Sequence, residues 1–258
     1  MWCECEVIDT HCHLIDPQFN HDLEEVIQRA KASGIKYIVN IGYDLKTSIT
    51  AIEMNKTYEW LIPAIGIHPN EEAEESITHI GEIEQLCISG KVVGIGETGL
   101  DYYRNYSPKE AQQKLFHLHI NLARKVNLPL IIHTRNSIDD AIKILKEENY
   151  HKGVFHCYSG TYEQAKRIID LGFYLGFGGV LTFSKNMREV FQRLPLDSIV
   201  FETDSPFLAP AGHKGKRNEP AFIYETLNFA SSIKGLPAEQ IEMITDRNAH
   251  QLFSLNPD

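Results

Sequence analysis

"VVGIGETGLDYY", at residues 92–103, begins like a buried strand and then turns to charge. Val92, Val93 and Ile95 form the apolar part, and the carboxylates of Glu97 and Asp101 follow among glycines. A carboxylate at the end of a buried strand costs free energy unless it has partners. Whether Glu97 has such partners depends on how the other apolar runs of the chain end.

Similar short apolar runs recur along the chain. Eight candidate strands occupy residues 6–11, 36–42, 61–68, 92–97, 128–133, 153–157, 173–179 and 198–204, and helical patterns lie between most of them. The 258 residues give about 32 per unit, which is the size of a βα repeat. The pattern predicts an α/β fold, a (β/α)8 TIM barrel. A doubly wound open sheet is the alternative, but the chain lacks the Gly-rich fingerprint expected after its first strand.

The bulk composition narrows the class of protein. With 43% hydrophobic residues and no linker-like stretch, residues 1–258 are expected to form one domain. The net charge of −10 argues against non-specific wrapping of nucleic acid. Apolar runs stop well short of the ~20 residues of a membrane span, and the N-terminus lacks the features of a signal peptide. We therefore expect a cytoplasmic protein without membrane contact, and the sequence indicates no protein partner.

The cysteines do not indicate a disulfide framework. They are odd in number and accompany no export signal, so reduced thiols are expected: Cys3, Cys5, Cys12, Cys87 and Cys157. A thiolate zinc site at Cys3 and Cys5 is the alternative. Their spacing does not match that of structural zinc motifs, and a second ligand pair is missing.

The candidate strands end on metal-ligand residue types. The residues concerned are His11, His13, His68, Glu97, His133, His156 and Asp204. In a barrel the C-terminal strand ends meet at one mouth, where active sites are built. Burying so many polar groups without partners would cost several kcal/mol, so a metal cluster is the economical interpretation. The remaining histidines, such as His117 and His119, are interpreted as structural or surface residues.

The ligand types limit the metal and the chemistry. Imidazole and carboxylate without thiolate suit Zn, Mn, Fe, Co or Ni, and Mg2+ is accepted where carboxylates and waters complete the shell. Six strong ligands exceed what one catalytic ion needs but divide well between two ions that share a carboxylate. Two ions ~3.5 to 4 Å apart are typical of phosphate-ester hydrolysis. Glu97 is the residue best placed to bridge them.

The ordered motifs resemble a known family. "DTHCHL", "GIHP", "GETGLDYY", "IIHTR", "FHCYSG", "ETDSPFLAP" and "RNEP" are similar, in this order, to the motifs of the TatD family of metal-dependent hydrolases, often described as TatD-type deoxyribonucleases, within the amidohydrolase superfamily. The resemblance runs from residue 9 to about residue 220. It implies a TIM barrel with a metal centre at the C-terminal mouth. The implied activity is hydrolysis of DNA, most specifically a 3′–5′ exonuclease acting on single strands or ends.

The resemblance also implies roles for individual residues. One divalent cation would be held by His11, His13, Glu97 and Asp204, and a second by Glu97, His133 and His156. The two cations, Mg2+, Mn2+ or Zn2+, would activate a water. Glu97 and Asp204 are the implied catalytic residues, Glu97 as the bridge and Asp204 as ligand and general base.

Substrate contacts are expected nearby. His68 is interpreted as a phosphate or leaving-group contact, with a supporting role behind the ligands as the alternative. The cations of "HKGKRNEP", residues 213–220, would bind phosphate, chiefly Arg217 and Lys216. Tyr103 could stack on a base, although tyrosines beside a barrel mouth also pack locally.

Two other functions remain open at this point. One is a two-metal hydrolase of a small ester, lactone, amide or phosphotriester, because water activation by two ions is general. The other is a non-catalytic metal-binding partner, which the complete ligand set and the presence of Asp204 disfavour. The residues also leave open the preference for DNA over RNA, the polarity of cleavage and the oligomeric state.

Overall fold

Eight parallel strands form one sheet in sequential order, with neighbours in the chain also neighbours in space. The computed structural model describes residues 7–71, 73–104 and 106–255. Cys3, Cys5 and the predicted start of the first strand at residue 6 lie outside them. The strands are β1 Val7–Cys12, β2 Ile35–Ile41, β3 Leu61–Ile65, β4 Gly94–Asp101, β5 Leu130–Arg135, β6 Gly153–Phe155, β7 Tyr174–Phe177 and β8 Ile199–Phe201.

Hydrogen bonds between the C-terminal end of β1 and the segment after β8 close the sheet into a barrel. Cys12 and Ser205 form a parallel bridge. The N–H of His13 donates to the carbonyl of Ser205 at 2.7 Å, and the N–H of Asp204 donates to the carbonyl of His11 at 2.9 Å. The predicted (β/α)8 TIM barrel is therefore confirmed.

The helices lie between successive strands and after β8. They are α1 Leu23–Ala32, α2 Leu45–Thr57, α3 Ala73–Ser76, α4 Ile80–Ser89, α5 Lys109–Val126, α6 Ile138–Glu147, α7 Tyr162–Asp170, α8 Lys185–Arg193, α9 Ile223–Lys234 and α10 Ala238–Phe253. Their ends follow local chemistry: α7 begins with the capping box of Thr161 and Gln164, and α5 ends at Asn127 in the left-handed conformation. Over the described ranges, no helix combines the length and apolar character needed to cross a membrane.

Several predicted strand ends were wrong, and those near the mouth matter most. β3 ends at Ile65 rather than at residue 68, so His68 lies in the following loop. β4 continues to Asp101, so Glu97 lies within the strand rather than at its end. The predicted strands run two or three residues past the observed ends of β6, β7 and β8. The predicted ends were set by the apolar character of each run, whereas the observed ends are set by backbone hydrogen bonds between strands.

A glycine allows β4 to continue beside β5. Gly99 has φ +131°, which L side chains rarely adopt, and a Cβ there would lie 2.2 Å from the carbonyl oxygen of His133. The two strands are paired at this position. The close approach holds β5, and with it His133, against the strand that carries Glu97.

A buried histidine on α5 supports the loop that carries His68. The N–H of Ile67 donates to Nε2 of His119 at 3.0 Å. Nδ1 of His119 donates to the carbonyl of Leu115 at 2.9 Å. Burial lowers the pKa of His119 from 6.5 to about 4. The ring is therefore neutral, because a proton on Nε2 would face the N–H of Ile67 instead of accepting from it.

We predict that His119 makes folding stability depend on pH. Its folded pKa of about 4 lies below the unfolded value of 6.5, so the unfolded chain binds the extra proton and stability falls as pH drops from 6.5 towards 4. The expected contribution is a loss of about 2 kcal/mol in the free energy of unfolding between about pH 7 and about pH 5. His119→Gln keeps an acceptor but cannot titrate, so its loss should be smaller by that amount in urea titrations. Equal losses in both proteins would contradict the assignment.

Candidate metal centre

Seven predicted site residues meet at the mouth of the barrel. His11 lies in β1, Glu97 in β4 and His133 in β5, and the other four follow strand ends: His13, His68, His156 and Asp204. These seven residues come from six of the eight βα units. The barrel brings them together because the C-terminal ends of all its strands point the same way.

Glu97 is the centre of the group, with imidazoles facing both of its oxygens. Oε2 lies 3.5 Å from Nε2 of His11 and 3.4 Å from Nε2 of His13. Oε1 lies 2.8 Å from Nε2 of His156 and 2.9 Å from Nδ1 of His133. A third imidazole, that of His68, places Nε2 3.3 Å from the same Oε1. One carboxylate therefore joins two sets of nitrogen donors.

Asp204 completes the His11 and His13 side of the group. Its Oδ1 lies 3.8 Å from Nε2 of His11 and 3.6 Å from Nε2 of His13. Asp204 has φ 55°, the left-handed conformation, in the loop after β8. Strained backbone of this kind is frequent at functional sites. These three residues form one potential ligand group, while His68, Glu97 and His133 form another.

The electrostatics of the group fit a bound cation. Glu97 is only 5% exposed and Asp204 9%. Burial alone would raise the pKa of Glu97, but His156 and His68 outweigh it and hold the pKa well below its usual range. Burial lowers the pKa of His13, but hydrogen bonds with Asp204 and Glu97 raise it to about 10. The two carboxylates therefore draw positive charge into the site, which protons or metal ions can supply.

The donor atoms of the group, like its charge, fit a bound metal ion. Nε2 of His11 and Nε2 of His13 lie 3.1 Å apart. Nδ1 of His13 donates to the carbonyl of Ile41 at 3.0 Å, so a cation that displaces the second proton of the ring meets the lone pair of Nε2 on the side of His11. Two nitrogens that face each other in this way share a cation well. Imidazoles with carboxylates suit divalent transition metals.

Two further carboxylates lie on the side of the imidazoles that faces away from Glu97, and the sequence analysis assigned neither of them a role. Oδ2 of Asp101 accepts from Nε2 of His133 at 3.2 Å. Oε1 of Glu202 accepts from the N–H of Cys157 at 2.5 Å and lies 3.7 Å from Nδ1 of His156. The spacing in the sequence could have indicated both residues. Asp101 lies four residues after Glu97, and Glu202 lies two residues before Asp204. Side chains an even number of residues apart on an extended chain point to the same side.

Tyr103 lies outside the cluster in the loop after β4, with 62% of its surface exposed. The guanidinium of Arg135, at the end of β5, lies 3.9 Å from the centre of the Tyr103 ring. Tyr102, by contrast, packs against the ammonium of Lys109 and accepts a hydrogen bond from Gln113. Of these two tyrosines, Tyr103 is therefore the one whose ring is exposed to solvent.

Arg217, predicted to bind phosphate, is paired with an acid in this structure. Both of its terminal nitrogens donate to the carboxylate of Asp22 at 2.6 Å, and its guanidinium lies over the ring of Phe19. A substrate phosphate would compete with Asp22 for this edge of the guanidinium. Lys216 and Arg217 line a cavity of about 530 Å3 together with Arg29, which in turn pairs with Glu219. The loop sequence shows Arg217 but not Asp22, which lies 195 residues away along the chain.

Comparison with known proteins identifies the family of the chain. The family model described as TatD related DNase matches residues 8–254. An uncharacterized metal-dependent hydrolase of Bacillus subtilis, YabD, is 42% identical, with 97% of this chain and 100% of YabD covered. The 3'-5' ssDNA/RNA exonuclease TatD of Klebsiella pneumoniae is 30% identical, with 97% of this chain and 98% of that protein covered.

A solved structure gives the same result. The crystal structure of YjjV, a TatD homologue from Escherichia coli, superposes with a TM-score of 0.93 at 31% identity, covering 98% of this chain and 100% of YjjV. Family match, relatives and fold agree over nearly the whole chain. The protein therefore belongs to the TatD family of metal-dependent hydrolases.

Proposed function

We propose that this hydrolase is a deoxyribonuclease that shortens single-stranded DNA from its 3′ end. The observation that carries the proposal is the carboxylate of Glu97, with imidazoles facing both oxygens. This arrangement suits two cations that share one ligand, as in enzymes that hydrolyse phosphodiesters. The substrate and polarity follow the name of the Klebsiella relative.

In this proposal the cluster holds two divalent cations, Mg2+, Mn2+ or Zn2+. His11, His13, Glu97 and Asp204 would hold the first, and Glu97, His133 and His156 the second. Bound there, the cations would lower the pKa of a water and neutralise charge on phosphoryl oxygens. Asp204, with 9% of its surface exposed, takes the proton of the attacking water. The water oxygen bonds to phosphorus as the P–O ester bond breaks, and the leaving oxygen takes up a proton to give the alcohol.

The rim beside the cluster offers features that bind single strands. Tyr103 exposes an aromatic face on which a base can stack, a contact that tolerates any base. Arg135 lies over that ring and can contact the adjoining phosphate. With a net charge of −10, the protein should bind DNA modestly and lose affinity as salt rises.

The activity itself is tested with labelled DNA. Metal-loaded wild type should shorten 5′-labelled single-stranded DNA stepwise, and Asp204→Asn should lower kcat by at least about 10²-fold because the base is lost. A neutral ester and a phosphotriester are assayed in parallel. Intact DNA with turnover of either small substrate would reject the nuclease proposal in favour of a small-molecule hydrolase. Equal activity of wild type and variant would reject the role of Asp204.

The bridging role of Glu97 is tested by metal content. Glu97→Ala should lower the occupancy of both sites, whereas His156→Ala should lose about one ion of two. His117→Ala serves as the control, because His117 pairs with Glu148 on the outside of the barrel. Plasma emission analysis of dialysed protein gives the counts. Equal metal content in Glu97→Ala and His156→Ala would contradict the bridge.

The rim is tested by comparing substrates of different size. Tyr103→Ala and Arg135→Gln should raise KM for single-stranded DNA several-fold, because stacking contributes about 1 to 3 kcal/mol per base. Hydrolysis of a small ester should not change. Arg124→Gln is the matched control, since Arg124 also lies over a tyrosine, Tyr150, but projects from the last turn of α5. Unchanged KM for DNA in both rim variants would remove Tyr103 and Arg135 from the substrate site.

A further inference from the structure

The imidazoles around Glu97 differ in which ring nitrogen carries the proton. The hydrogen-bond partner on the side away from Glu97 determines this position. Nδ1 of His13 faces the carbonyl of Ile41 at 3.0 Å, and Nε2 of His133 faces Oδ2 of Asp101 at 3.2 Å. Carbonyl and carboxylate oxygens only accept hydrogen bonds, so each ring carries its proton on that outer nitrogen. When the ring holds that single proton, its inner nitrogen has a free lone pair. Both rings are set up as metal ligands.

His68 has the opposite arrangement. The backbone N–H of Asn70 donates to Nδ1 of His68 at 3.0 Å. A backbone amide is only a donor, so Nδ1 must accept, and a neutral ring then carries its proton on Nε2. Nε2 is the atom that points into the centre, 3.3 Å from Oε1 of Glu97. A nitrogen that carries a proton has no lone pair for a metal ion.

We propose that His68 is a hydrogen-bond donor to the reacting phosphoryl group and not a metal ligand. The identity of that group rests on the proposed function, whereas the donor assignment rests on the contacts of Asn70. With Glu97 among the residues that would hold a cation, the Nε2–H of His68 would be available to donate to a substrate oxygen. A neutral imidazole that donates where negative charge develops stabilises the transition state without losing its proton.

Asn70 links this donor to the ligand beside it. Its side-chain Nδ2 donates to Oδ2 of Asp101 at 2.9 Å. The same oxygen accepts from Nε2 of His133. Asn70 thus keeps His68 in the donor form through its backbone and helps to keep His133 in the ligand form through its side chain. Asn70 and Asp101 are positioning residues for the two rings.

The competing assignment makes His68 a ligand. His68, Glu97 and His133 offer donor atoms that all lie within 4.8 Å of one another, which permits a shared cation. For His68 to bind it through Nε2, the ring would have to move its proton to Nδ1 and give up the hydrogen bond from Asn70. The two assignments therefore differ in metal content and in the position of one proton.

Metal content and kinetics separate the assignments. His68→Leu should keep the metal content of wild type, whereas His133→Ala should lose about one ion of two. In His68→Leu, kcat on single-stranded DNA should fall by about 10²-fold with KM little changed, since the contact forms in the transition state. His68→Gln, whose amide can donate, should recover part of kcat. Loss of an ion in His68→Leu, or an unchanged kcat, would overturn the proposal.

Nitrogen NMR tests the proton position without any substrate. Two-bond proton–nitrogen spectra of the 15N-labelled protein, assigned with His68→Gln, should show His68 protonated at Nε2 and His13 protonated at Nδ1 in the zinc-loaded form. A His68 ring protonated at Nδ1 would overturn the proposal. This result and the metal counts hold whatever the substrate proves to be. If DNA is not hydrolysed, the proposed function fails together with the phosphoryl group as the acceptor, and the donor assignment is still tested.

Discussion

The carboxylate of Glu97 is the group on which the rest of the site depends. A carboxylate only 5% exposed is tolerated because imidazoles from several βα units meet both of its oxygens. Those units are far apart in sequence, so the contacts exist only when the barrel is closed. The hydrogen bond from the N–H of Asp204 to the carbonyl of His11 is one of those that close it. Folding and assembly of the site are therefore one event, because the bonds that join β1 to β8 also bring Asp204 to His11.

The sequence was sufficient to predict the barrel and the cluster, because both depend on repetition. Eight apolar runs at regular spacing favour a closed parallel sheet, and the ends of such strands meet at one mouth, where the ligand-type residues then lie together. Details set by tertiary hydrogen bonds were not predictable. Asp204 is held left-handed at φ 55° by such contacts, and His68 lies in a loop because β3 stops pairing after Ile65. Hydrophobicity carries no information on either point.

The partners of charged side chains are also set by tertiary structure and could not be predicted from the sequence. Arg217 and Arg135 look alike in sequence, yet Arg217 is paired with Asp22 across 195 residues of chain, whereas Arg135 lies over Tyr103 at the rim. A guanidinium held by two hydrogen bonds to a carboxylate contributes orientation to the loop after β8 and little net charge. The same guanidinium over an exposed ring keeps its charge available to a ligand. Partner identity, rather than residue type, decides which cations can contact a substrate.

For the histidines of the site, the hydrogen-bond partner determines the position of a single proton. His13, His68 and His133 each direct a ring nitrogen at Glu97, and nothing in their residue type distinguishes them. The difference lies one contact further out, where an oxygen accepts from His13 and His133 but an amide donates to His68. An imidazole has two nitrogens and, when neutral, one proton, so the outer contact determines the function of the inner atom. Residues such as Asp101 and Asn70, which touch neither cation nor substrate, therefore decide what chemistry the inner residues can perform.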